Sequence, residues 1–158
     1  MISTHTVGSG RSGWSQYYNI DGTTKTHGVE LTLGRKLSDR WDTKVTSNWT
    51  SANNKSASAE ASAHGVDGIA DNITTWQLTY DDHKKTGWNA TIWEQWVHNY
   101  YESDTHKAYN YQTFNFVVNR KFNEKTRLFA GIDNVFNKKI DAIYLDGRIW
   151  RTGIEITF

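Results

Sequence analysis

The sequence predicts an all-β protein, built from about eight antiparallel, up-and-down strands of a transmembrane β-barrel. Three observations predict it. Apolar and polar side chains alternate with a period of two along stretches separated by turn clusters, and no helical repeat outlasts a turn or two. The connections alternate between short turns and longer loops, as at the two ends of an outer-membrane barrel. Tryptophans recur on the apolar side of the strands, in pairs eight residues apart.

The elements follow in order. Ile2–Val7 is a short strand before the glycine-rich turn "GSGRSG". The stretch Trp14–Leu37 reads as one long strand, with Val29, Leu31 and Leu33 on one face and Glu30, Thr32 and Lys36 on the other. After the turn "SD", Trp41–Ser51 sets Trp41, Val45 and Trp49 against Asp42, Lys44 and Asn48. A loop rich in Ala, Ser and Asn, "ANNKSASAEASAHGVDGIAD", favours no single structure. Ile73–Tyr80 aligns Trp76, Leu78 and Tyr80, and Trp88–Tyr101 aligns Trp88, Ala90 and Ile92. Tyr109–Phe122 carries Phe114, Phe116 and Val118 opposite Thr113, Asn115 and Asn119. The turn "NEK" precedes Thr126–Phe136, and the loop "NKKIDAIYLDG" precedes the last strand, Arg148–Phe158. These strands form a single domain over residues 1–158.

Composition agrees and narrows the class. The 158 residues are 37% hydrophobic, and no run approaches the ~20 apolar residues of a membrane-spanning helix. Eight Trp, eight Tyr and six Phe supply ample apolar surface, which argues against disorder. A net charge of +1 from 18 basic and 17 acidic side chains, interspersed, leaves no basic stripe for nucleic acid. The absence of cysteine excludes disulfides and thiolate sites, and the absence of proline suits uninterrupted strands. "MISTHTVGSG" has neither the charged start nor the apolar core of a secretion signal, so either a leader has been removed or the chain is a piece of something longer.

Alternation alone also fits a soluble sandwich, in which the tryptophans would be core. The polar faces, rich in Thr, Asn, Gln, Lys and Glu, fit a wet lumen instead. Trp41 and Trp49, and likewise Trp88 and Trp96, are spaced to form an aromatic girdle at each rim of a lipid-facing band: eight residues of a tilted strand climb roughly 20 Å. Phe158 ends the chain, so its ring lies beside a carboxylate that is costly to bury, whereas a membrane interface suits both groups.

Three stretches resemble the TonB-dependent outer-membrane receptors. "GIDNVFNKK" (Gly131–Lys139) resembles the penultimate-strand motif, "GRIWRTGIEITF" the final strand, and "YYNIDGTTKTHGVELTLGRKLSDRW" an earlier strand that descends to a short turn before Trp. They stand in the family's order. The resemblance implies an outer-membrane location in a Gram-negative bacterium and a 22-stranded barrel around a plug, of which this chain would be the last eight strands. No plug or TonB box is visible. It implies import of a scarce small-molecule ligand such as a ferric siderophore, haem or cobalamin, with the TonB complex engaged only by the full-length receptor. The final strand also resembles the signal read by the barrel assembly machinery: Trp150, Thr152, Ile154, Ile156 and Phe158 on one face, recognised by strand addition.

No nucleophile motif, phosphate loop or His-x-x-x-His pair is present, so no catalytic or metal site, no cofactor and no enzyme activity is expected. Asp81–Asp82 reads as a solvated turn. His64 and His106 fall in loops where a ligand could bind, though a solvated loop histidine is the commoner case. Two other functions fit the alternation: a self-contained eight-stranded outer-membrane barrel with a structural or adhesive role, and a soluble aromatic-rich sandwich binding carbohydrate.

Overall fold

Among the described residues, nine strands account for nearly all the regular structure. The computed structural model describes residues 2–7, 14–19, 22–56, 66–83, 86–102, 105 and 107–158. The strands are β1 (Ile2–Val7), β2 (Trp14–Asn19), β3 (Gly22–Ser38), β4 (Trp41–Ser56), β5 (Ala70–Asp81), β6 (Trp88–Tyr101), β7 (Ala108–Lys121), β8 (Thr126–Asp133) and β9 (Ile149–Ile156). A 3-10 turn at Asp141–Ile143 lies between β8 and β9, and the described residues contain no α-helix. β1 and β2 pair with each other, while β3 to β9 form one antiparallel meander in sequence order, with β3 and β9 at its edges. β3 and β9 do not pair, so the sheet is open.

Register brings the separately predicted apolar faces onto one side. Leu33 pairs with Val45, Val45 with Trp76, Leu78 with Ile92, Ile92 with Phe116, Phe116 with Ile132, and Ile132 with Trp150. Because side chains alternate strictly, this pairing sends Thr32, Thr46, Lys44, Gln77, Asn119 and Arg127 to the opposite side. We call these the tryptophan face and the polar face.

The rows also measure the lean of the strands. Trp41, the first residue of β4, shares a row with Tyr80, Ala90, Val118, Ala130 and Thr152. Tyr80 lies one residue inside Asp81, Ala90 two inside Trp88, Val118 three inside Lys121, and Ala130 four inside Thr126. The rim thus steps about one residue per strand against the hydrogen-bonding row. With a rise of ~3.3 Å per residue and ~4.8 Å between strands, that step is a tilt of about 35°, within the range of membrane barrels.

The distribution of burial is inverted relative to a water-soluble sheet. The buried apolar residues are small or medium-sized (Ala52, Val66, Ala70 and Val97), and no large side chain is fully buried among the described residues. Val29, Leu33, Trp49, Trp150 and Ile154 are all exposed. Among the described residues no second sheet packs on the tryptophan face, since each strand of the meander contacts only its sequence neighbours. A soluble sandwich needs such a partner sheet.

Three boundaries differ from the sequence reading. Trp14–Leu37 is two strands, because β2 pairs back onto β1 while β3 pairs forward onto β4, which raises the count from eight to nine. β4 continues to Ser56 and β5 begins at Ala70, shortening the Ala/Ser loop from both ends. β8 stops at Asp133, where Asn134 turns the chain with φ 52°.

Candidate functional site

The tryptophan face is mainly apolar, with Arg35, Glu94 and Arg120 as charged exceptions, and several of its polar side chains satisfy one another. Trp76 Nε1 donates to Thr43 Oγ1 at 2.9 Å, and Thr43 Oγ1 donates to the Gln77 carbonyl at 3.0 Å. Ser47 and Thr74 share a 2.6 Å bond, and Asn72 Nδ2 donates to Ser47 Oγ at 3.0 Å and to the Asn48 carbonyl at 2.8 Å. Thr152 Oγ1 donates to the Phe129 carbonyl at 3.1 Å. A hydroxyl facing hydrocarbon must be satisfied from within the protein, and these are.

The polar face carries fixed charge. Arg127 pairs with Glu155, and Arg151 with Asp133, each at 2.5 Å between adjacent strands β8 and β9. On β3–β4, Asn48 Nδ2 donates to Glu30 Oε2 at 3.2 Å, and Thr32 and Thr46 are 3.1 Å apart.

The two ends of the sheet are built differently. At the short-turn end, carboxylates and an amide cap the backbone. Asp81 Oδ1 accepts from His83 N, Asp82 Oδ2 from Thr86 N and Trp88 N, and Asn123 Oδ1 from Lys125 N. Asp81 and Asp82 are therefore turn-forming side chains. At the long-loop end, Asn134 organises the β8–β9 connection. Its backbone N–H donates to Asn115 Oδ1 at 2.9 Å, and its Nδ2 donates to the Lys138 and Asp146 carbonyls at 2.6 and 2.9 Å. Its Oδ1 accepts from Lys138 N at 3.0 Å. Arg148 then clamps the far side, donating from Nε and Nη2 to the Val135 carbonyl, while its N–H reaches Asn137 Oδ1. A second cluster lies on the same rim: Asp71 Oδ2 accepts from Asn99 Nδ2 at 2.9 Å and from Tyr101 at 3.3 Å, with Tyr100 edge-on to Tyr111.

A protein-family model described as "TonB dependent receptor-like, beta-barrel" matches residues 1–135. The chain belongs to that family. As a TonB-dependent receptor barrel, it resides in the outer membrane. Among solved structures, the "Copper transporter OprC" superposes with a TM-score of 0.67 at 16% identity, over 100% of this chain and 28% of that chain. The likeness is one of fold, and this chain spans little more than a quarter of that protein's length. No curated protein is significantly similar in sequence.

Within this TonB-dependent receptor barrel, the predicted positions fall as follows. Trp41, Trp49, Trp88 and Trp96 share the tryptophan face and are 36 to 46% exposed. Trp150, Thr152, Ile154 and Ile156 share that face on the edge strand β9, and Phe158 is fully exposed beyond it. His64 and His106 lie outside the described residues. Among the described residues no group of His, Cys, Asp or Glu is arranged to hold a metal. The Asn115–Asn134 link, the Asp71 cluster and the β8–β9 ion pairs escaped the sequence reading. The one local signal was the in-phase Arg151 and Glu155 within "RTGIE".

Proposed function

We propose that this chain forms the C-terminal part of the barrel wall of a TonB-dependent receptor that imports a scarce nutrient, such as a ferric siderophore, haem or cobalamin. The observation that carries this reading is the inside-out sheet: a face rich in exposed large apolar side chains backed by a polar face with paired charges. Lipid covers the first, with Trp41, Trp49, Trp88 and Trp96 at its two rims. Solute and plug meet the second. Further strands of the full receptor close the sheet between the β3 and β9 edges, and the plug recruits the TonB complex. The small-molecule ligand is selected by the long-loop end, where Asn134 and Arg148 hold one loop in shape. β9 and Phe158 serve as the address read by the barrel assembly machinery.

Uptake of labelled ferric siderophores, haem, cobalamin and copper complexes by cells expressing the full-length receptor tests the reading. One of these substrates should accumulate only when TonB is present. Uptake that persists unchanged in a strain lacking TonB excludes it.

A further inference from the structure

At the short-turn rim of the tryptophan face, one cation lies against two aromatic rings. Arg120, the penultimate residue of β7, shares a row with Trp88 on β6 and Leu128 on β8. Its guanidinium carbon lies 5.2 Å from the centre of the Trp88 ring and 4.8 Å from that of the Phe122 ring. Among the described residues no carboxylate lies within ion-pair distance of it, and its N–H groups donate to no protein acceptor. The contrast is with Arg127 and Arg151 on the polar face, each of which is paired with an acid.

The surroundings define what can complete this site. Trp88 is 40% and Phe122 52% exposed, so both rings are open to the medium beside the cation. Two aromatic faces hold the guanidinium plane through cation–π attraction while leaving its edge free. A planar fork of donors fixed in this way matches the oxygens of a phosphate in bidentate fashion. Leu128 and Ile154 stand beside it in the same row and Val118 lies two residues further along β7 on the same face, an apolar wall for an acyl chain. A phosphate alone uses only the cation; a phosphate attached to acyl chains uses the cation, the rings and the wall.

We infer that Arg120, Trp88 and Phe122 form a binding site for the phosphodiester headgroup of a phospholipid in the leaflet that meets the short turns. The inference rests on lipid covering the tryptophan face. It adds a specific anchoring position to that general contact.

Native mass spectrometry of the full-length receptor, released from detergent and titrated with dioleoyl phosphatidylglycerol, tests it. The wild type should bind its first phosphatidylglycerol about tenfold more tightly than Arg120→Gln, the loss expected for one charge-assisted bidentate contact. Arg120→Lys retains the charge without the fork and should fall between them, which keeps the test decisive if the glutamine variant does not fold. Millimolar inorganic phosphate should not displace the lipid, and a phosphate-free galactolipid should bind both proteins equally. Equal phosphatidylglycerol affinity in wild type and Arg120→Gln overturns the site. Displacement by inorganic phosphate reassigns it to a free anion and overturns the lipid assignment. A galactolipid preference for the wild type assigns the effect to ring packing and overturns phosphate recognition. A receptor that remains soluble without detergent defeats the membrane reading itself, separately from this site.

Discussion

Asn134 shows how much one short side chain can hold. It adopts a left-handed backbone, φ 52°, which Asn tolerates and Ala does not. Its amide also satisfies two loop carbonyls and one N–H. Asn134→Ala removes three hydrogen bonds and adds backbone strain, a loss of about 3–4 kcal/mol. Asn134→Gly relieves the strain alone, so it should lie about 1 kcal/mol above Ala in urea unfolding of the refolded receptor. Equal midpoints for the two variants would assign the whole effect to the amide. Gly153 is a second special position. A Cβ built there would stand 2.6 Å from the Phe129 ring, which lies directly across from the glycine on β8. Gly153→Ala should therefore cost about 1–3 kcal/mol, and Phe129→Leu in the same protein should recover part of it.

Among the elements, β8 and β9 carry the polar-face ion pairs, and their worth follows from exposure. In Arg127–Glu155 the side chains are 51% and 57% exposed, whereas Asp133 of the Arg151 pair is only 27% exposed. Double-mutant cycles should give a coupling of roughly 0.5 kcal/mol or less for the first pair and a larger one, up to about 1 kcal/mol, for the second. Both should shrink in high salt; the reverse order would mean that solvent exposure does not control them. The phase of every long strand in the meander was legible from sequence, because a period of two survives whatever the partner strand is. Val29–Leu33, Trp76–Tyr80 and Phe114–Val118 met on one face as expected. The break between β2 and β3 was not legible. Polar and aromatic residues alternate straight through Asn19 and Gly22, and only the choice of partner separates the strands. The end of β8 was missed for a similar reason, since the contact that fixes Asn134 comes from Asn115, nineteen residues earlier. Of the candidate site, local capping residues such as Asp81 could be read in advance as turn formers. The long-loop clusters could not, because their partners lie on different strands.

On the scale of the whole molecule, the tilt of about 35° and the exposed tryptophan face describe a wall whose stability depends on what surrounds it. The end of that wall raises a question of assembly. Phe158 is 103% exposed and lies beyond the last paired residue of β9, Ile156. A side chain with so little intramolecular contact contributes little to the stability of the folded sheet. If its role is only to meet lipid, replacing it should leave assembly intact. If it is read during assembly, its loss should slow insertion without weakening the finished barrel, because strand addition by the machinery occurs before the sheet closes. Phe158→Ala in the full-length receptor should therefore lower the amount of folded protein in the outer membrane several-fold, with unfolded precursor accumulating in the periplasm. The same variant refolded from urea into detergent should keep the wild-type unfolding midpoint. Ile154→Ala provides the contrast. It removes a side chain that packs in register with Leu128, so it should lower the midpoint in detergent as well. A Phe158→Ala protein that reaches the outer membrane at the wild-type level would leave the terminal ring with lipid contact alone.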